Sequence, residues 1–266
     1  MLLDIIIIVL RETLEASILI AVLLSISLNR NVKMTWLPPA LLVGSVGAIV
    51  YGSSLGAVSE WFDYAGQEVV NAALQVAVYL LICWLISLQS PDLGQSLNKN
   101  QGAVRVLMVV IVATAFVREG GELYVFYGGF LQKGAVLLPA LISGFIGLAI
   151  GLSAGAIVYY GLVLWKQVKW LSNGVLTLVA GGMVLQATQL LLQIDWLSSS
   201  GPLWDSGWLI SESSVIGQVL YAIFGYEATP SDTEVGAYLA AVVGIIVVVN
   251  VSYRRRNYHR TGLKRA

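Results

Sequence analysis

Two short stretches hold most of the chemistry available to this chain. Near the start it reads VLRETLEAS and past the middle FVREGGELY, so Arg11, Glu12 and Glu15 recur as Arg118, Glu119 and Glu122. Both are Arg-Glu-x-x-Glu inside long apolar runs. On a helix, residues three or four apart share a face. Glu12 and Glu15 then project together, as do Glu119 and Glu122, while Arg11 can pair with Glu15 and Arg118 with Glu122. A charge at mid-bilayer costs at least about 2.5–3.5 kcal/mol, so this many charges demand compensation. If the two segments face each other, four carboxylates meet two arginines and a net negative charge remains. Left uncompensated, the carboxylates repel one another and draw in protons. A multivalent cation removes the conflict directly. Carboxylate oxygens are hard ligands suited to Fe³⁺, and also to Fe²⁺, Mn²⁺ or Mg²⁺. A self-neutralising ion pair that fixes helix register would account for either copy alone. Two copies of one spacing at similar depth point instead to a cation path, because charges buried in membranes usually mark such paths.

Weaker candidates accompany them. Glu68 and Asn71 are three residues apart, and Gln186, Gln189 and Gln193 form a polar stripe. Either set can line a pathway with oxygen ligands or simply bond between helices. The chain has one cysteine, Cys83, and one histidine, His259, which excludes a disulfide scaffold and any Cys/His metal site.

These residues need elements that hold them inside a membrane. Of 266 residues 58% are apolar and 11% charged, against about 25% charged in a soluble domain. Most of the chain therefore belongs in a bilayer. Lys plus Arg equals Asp plus Glu at 15 each, so net charge identifies no partner, and no nucleic-acid partner is expected. Asp4, Arg11, Glu12 and Glu15 interrupt the first apolar run, which reads as a transmembrane helix and not as a removable signal.

Seven segments are long and apolar enough to span, at about 3–28, 38–58, 68–89, 103–127, 136–164, 173–194 and 235–252. They predict an all-α polytopic protein with one transmembrane domain covering 1–266. Loop chemistry separates the segments, as in Asn29-Arg30-Asn31 before Pro38-Pro39, Ser90-Pro91-Asp92, and Asn98-Lys99-Asn100. With seven spans, Arg30, Lys33, Lys99, Arg105, Lys166, Lys169 and the tail residues Arg254, Arg255, Arg256, Arg260, Lys264 and Arg265 share one side, against Lys133 alone. The positive-inside rule then places the N-terminus outside and the C-terminus in the cytoplasm.

The opposite side is acidic, with Glu60, Asp63, Asp195, Asp205, Glu212, Glu227, Asp232 and Glu234. It reads equally well as a cation-attracting vestibule or as solvated loops depleted of Lys and Arg. In its one long loop, SESSVIGQVLYAIFGY predicts a Ser-capped amphipathic helix at the interface or re-entering. Gly144, Gly147, Gly151 and Gly155 let helices approach closely. Each motif helix is followed by two further spans. This suggests two inverted three-helix units plus one extra helix, a plan that puts the site at the interface of the repeats.

The two motifs, in the first and fourth of seven helices, resemble the oxidase-dependent iron transporter family. That family holds the fungal high-affinity iron permeases and the bacterial permeases of the acid-induced uptake system. IFGYEATPSDTEV (223–235) is similar to the family's last loop, and NGVLTLVAGGMVLQATQLL (173–191) to its sixth helix. Thr13 stands where many members have Gly, and Phe224 where Leu is frequent; neither departure touches a charged residue.

The resemblance implies iron import across the plasma membrane, in the bacterial inner membrane for a chain this compact. Glu12, Glu15, Glu119 and Glu122 would bind iron in transit, and Arg11 and Arg118 would balance charge. Glu68, Asn71, Gln186 and Gln189 are candidates for the pathway. Iron, as Fe²⁺ or Fe³⁺, is cargo, with no cofactor bound permanently, and the expected partner is an extracytoplasmic iron-oxidising or iron-delivering protein. The chain has no P-loop, so it is not read as an ATPase, and no enzymatic activity is expected. An intramembrane carboxylate-bridged metalloenzyme, a metal sensor that does not transport, and another divalent cation as substrate remain alternatives. The first lacks the intramembrane histidine that helix-bundle di-iron sites use.

Overall fold

The computed structural model of the protein describes residues 2–88, 97–132, 137–165 and 169–263. The Ser90-Pro91-Asp92 turn, Lys133, Lys166, Lys264 and Arg265 lie outside the described residues. The helices are α1 (Leu2–Asn29), α2 (Leu37–Ser59), the single turn α3 (Trp61–Tyr64), α4 (Gly66–Leu88), α5 (Leu97–Gln132), α6 (Leu137–Leu164), α7 (Lys169–Gln193), α8 (Val215–Phe224) and α9 (Asp232–Leu263). The described residues contain no strand, only an isolated bridge between Pro202 and Ser231.

Six stretches are long and apolar enough to cross a membrane, in α2, α4, α5, α6, α7 and α9. With 28 residues, α1 is long enough to be the seventh span, reaching about 42 Å at 1.5 Å per residue. The protein is a polytopic membrane protein.

Both ends of α5, read as 103–127, and the end of α9 differ from the sequence reading. The Asn98-Lys99-Asn100 break is helical, lying in the first turn of α5, and α9 continues past residue 252 to Leu263. Outside the bilayer a helix no longer needs an apolar surface, and Arg and Lys are good helix formers. The longer α5 also aligns the motifs in depth. Arg11 lies nine residues from Leu2 at the start of α1, and Glu122 ten residues from Gln132 at the end of α5.

Lipid supplies no hydrophobic drive between helices, so close packing and polar contacts must hold them together. The most extensive contacts are α1 against α6 and α2 against α5, with α4 against α7 next. In both of the leading pairs a motif helix lies on a glycine-bearing helix of the other half. A Cβ at Gly147 would come within 2.6 Å of the Ile6 carbonyl oxygen, and one at Gly151 within 2.7 Å of Thr13. On the other pair, a Cβ at Gly44 would meet Phe116 at 2.7 Å and one at Gly47 would meet Val117 at 2.5 Å. Ser17 Oγ donates to the Gly151 carbonyl at 2.9 Å, fastening α1 to α6.

This pairing is the one that two inverted three-helix units generate. First and second helices exchange partners between units, and the third helices pack on each other. Helices α8 and α9 lie outside the repeat.

Candidate functional site

The tight α1–α6 and α2–α5 pairs bring the two motifs to one centre. Glu12, Glu15, Arg118 and Glu119 are all buried. Arg118 stands in the middle. Its Nη1 donates to Glu15 Oε2 at 2.8 Å and to Glu119 Oε1 at 2.7 Å, and lies 3.4 Å from Gln186 Oε1. Its Nε makes a longer ion pair with Glu122 at 3.5 Å. One guanidinium from α5 thus engages both glutamates of its own motif and one of the other. Arg118 also pairs with Glu122 at the expected i,i+4 spacing, but its shortest contacts are with Glu15 across the interface and with its sequence neighbour Glu119.

Arg11 behaves differently. Its side chain is 41% exposed against 7% for Arg118. Its Nε is 3.6 Å from Glu15 Oε1, the predicted i,i+4 pair. Its Nη2 donates to the Tyr221 hydroxyl at 2.5 Å, and its guanidinium carbon lies 4.4 Å from the centroid of the Tyr221 ring. Both contacts are favourable for a cation on an aromatic side chain.

Tyr221 is presented by α8. Ser214 caps that helix, accepting from the Gly217 amide at 3.0 Å as its sequence predicts. Gly225 ends it with φ 67, a left-handed conformation that favours glycine. Gly225 also rests against Gly182 of α7, where a Cβ on Gly225 would lie 2.9 Å from the Gly182 Cα. These contacts seat α8 against the bundle beside Arg11.

Neighbouring polar side chains extend the centre in two directions. Asn71 Nδ2 donates to Glu122 Oε1 at 3.1 Å, and Tyr51 donates to Asn71 Oδ1 at 2.8 Å. Glu68, half-buried one turn away, leaves one carboxylate oxygen without a hydrogen-bond partner. On the other side Gln189 donates to Glu227 at 2.7 Å, and the Tyr221 hydroxyl lies 3.4 Å from Gln189 Oε1. Between α4 and α7, Gln75 donates to Gln186 at 2.7 Å, so Gln186 both bridges helices and faces Arg118.

A cavity of about 150 Å³ opens beside Arg11, lined by Gln189, Glu212, Gln218, Tyr221 and Glu227. Burial pushes the Glu227 carboxyl up to about 7; the Gln189 bond opposes this, and nearby Glu234 and Glu212 reinforce it. Not every acidic residue at this end faces the cavity. Glu234 is spent on a capping box, accepting from the Ser231 amide and hydroxyl at 2.6 Å each. Asp232 closes the loop, accepting from the Ser200 amide at 3.0 Å.

Beyond the motifs on the side away from the cavity the bundle is sealed. Ile18, Met108, Ile111 and Leu176 are fully buried there. Among the described residues, no group of three or more His, Cys, Asp or Glu is arranged to hold a metal ion. The carboxylates surround a guanidinium, so oxygen ligation by several of them requires Arg118 to move.

The sequence reading missed Tyr221, Tyr51 and Gln75. Gln75 had a signal, since Glu68, Asn71 and Gln75 repeat the spacing of Gln186, Gln189 and Gln193. The tyrosines had none, because an isolated tyrosine in an apolar helix is ordinary interfacial or core material.

Residues 2–257 match the Iron permease FTR1 family. The chain is similar to proteins named ferrous iron permease EfeU. The one from Escherichia coli O6:H1 is 24% identical over 260 residues, covering 90% of this chain and 92% of the relative. The one from Yersinia pestis is 24% identical over 256 residues, covering 90% and 89%. No solved structure matches. Paired Arg-Glu-x-x-Glu motifs meeting inside a helical membrane bundle, with a family match along nearly the whole length, make this chain a member of the Iron permease FTR1 family.

Proposed function

We propose that this protein imports iron across the plasma membrane, with Glu12, Glu15, Glu119 and Glu122 supplying the oxygen ligands in transit. The observation that carries this reading is the reach of Arg118 from its own motif to Glu15 of the other at 2.8 Å. A contact so short and so buried makes the two copies one centre. A buried cation amid glutamates marks a place already tuned for positive charge. An incoming iron ion would compete with the arginines for the same oxygens. Between transport events Arg118 balances Glu15, Glu119 and Glu122 and Arg11 adds to the balance at Glu15; Arg118 turns aside when the ion enters.

The names of the relatives favour Fe²⁺ as the cargo, and carboxylates suit it. The lysine and arginine distribution supports an N-terminus outside and a C-terminus in the cytoplasm. The cavity beside Arg11 would then face outward, where an iron-oxidising or iron-delivering protein would load it. Glu68 and Asn71 on one flank, and Gln189 on the other, would line the approach. Gln186 would hold the centre from α7. The inverted packing of the two units suits release by rocking one unit against the other.

Iron accumulation by cells expressing the protein tests the reading. Glu12→Ala and Glu119→Ala should each abolish accumulation while membrane insertion is normal. Normal accumulation by either inserted variant would overturn it.

A further inference from the structure

We infer that Tyr221 is a positioning residue for transport: it holds Arg11 turned toward the outer cavity, which leaves Glu12 without a cationic partner and available to the incoming ion. The inference rests on the transport reading above and adds a residue outside both motifs.

The ion pairs among the described residues are unevenly shared. Glu15, Glu119 and Glu122 each lie within 3.5 Å of Arg118. No ion pair reaches Glu12, although Glu12 is 5% exposed and its Oε2 has no hydrogen-bond partner. A carboxylate so buried and so poorly compensated is costly.

Arg11 lies 3.6 Å from Glu15, which shares a helix face with Glu12, so its guanidinium is the cation that can swing toward both. It is drawn away. The hydroxyl of Tyr221 accepts from Nη2, and the Tyr221 ring underlies the guanidinium at 4.4 Å. The Tyr221 hydroxyl in turn lies 3.4 Å from Gln189 Oε1, which fixes the tyrosine from α7. Removing the hydroxyl takes away the bond that turns Arg11 outward. The guanidinium then relaxes onto Glu12 and Glu15 and competes with iron. The ring alone keeps α8 packed, because Ser214, Gly225 and the buried Ala222 hold that helix independently of the hydroxyl.

Anaerobic Fe²⁺ uptake into proteoliposomes tests this with Tyr221→Phe. The KM should rise about tenfold, the value of one hydrogen bond to a charged group, with the maximal rate within about twofold of the parent. A thermodynamic cycle separates positioning from mere packing. The Kd for Fe²⁺, measured on purified protein, should rise with Tyr221→Phe in the parent and stay unchanged in an Arg11→Gln background. If Arg11→Gln does not fold, Arg11→Met, which keeps similar bulk with neither charge nor donor, serves in its place. An unchanged KM for Tyr221→Phe, or an equal rise in Kd in both backgrounds, overturns the inference. If Glu12→Ala and Glu119→Ala abolish uptake while the cycle is additive, only the role of Tyr221 falls. If those variants transport normally, the transport reading falls and takes this inference with it.

Discussion

RETLE and REGGE carry the same charges at the same spacing, yet the fold gives them different work. In REGGE, Arg118 is sealed and engages Glu15, Glu119 and Glu122. In RETLE, Arg11 is 41% exposed, reaches Glu15 at 3.6 Å, and rests on Tyr221. The two motif helices have matching principal partners, α6 for one and α2 for the other. The asymmetry enters through α8, which touches α1 and α7 and has no counterpart in the repeat. An inverted repeat supplies two equivalent half-sites, and an element outside the repeat makes them unequal.

The sharpest way to break this comparison is to remove each arginine in turn. Arg118→Ala strands the buried Glu15 and Glu119 and the half-buried Glu122 and should destabilise the protein by about 3–5 kcal/mol. Arg11→Ala removes a partly exposed group and should cost about 1 kcal/mol or less. Thermal unfolding in detergent would report both. Equal losses would mean that the two copies are structurally alike.

The partner helices provide the next test. Gly147→Leu drives a side chain into the Ile6 carbonyl, which cannot yield, and should cost about 3 kcal/mol or more in the same assay. Gly47→Leu meets the Val117 side chain, which can rotate, and should cost less. Gly161→Leu, at a position where a Cβ meets nothing within 4 Å, serves as the size-matched control without a clash.

Asn71→Ala removes the donor to Glu122 on the REGGE side and should lower stability by about 1–3 kcal/mol. Its influence on uptake should match or exceed that of Tyr51→Phe, because Tyr51 is hydrogen-bonded to Asn71 and not to Glu122. A larger effect from Tyr51→Phe would contradict this order.

The smallest effect concerns the cavity beside Arg11. Glu227 holds its proton up to about 7, so its negative charge develops as pH rises through that value. At low iron, anaerobic uptake should therefore increase modestly from one pH unit below about 7 to one unit above it. Glu227→Gln should flatten that rise, and an unaltered profile would remove Glu227 from the approach.

Much of this was legible beforehand, for definite reasons. Lipid forces apolar runs into helices, so the spans could be drawn from composition, and the boundaries of α1, α2, α4, α6 and α7 agree closely. Charges in such runs stand out, which made the six motif residues visible. The serine cap announced α8, because capping chemistry is local. Burial is not local. The string Arg-Glu-x-x-Glu is the same whether its arginine is sealed or open, so nothing in RETLE or REGGE separated Arg11 from Arg118. Glu234 was grouped with the acidic face, although the Ser231-x-x-Glu234 spacing is that of a capping box. The extensions of α5 and α9 escaped because a helix leaving the bilayer loses the hydropathy that marks it.

The central claim is that the two motifs form one transport centre and not two parallel sites. Initial rates of anaerobic Fe²⁺ influx into proteoliposomes test it most directly, with Glu15→Gln, Glu119→Gln and the double variant compared at equal reconstitution. Each single variant should already lose nearly all flux, with the double variant no worse. About half the parental flux in either single variant, and further loss in the double, would contradict a shared centre.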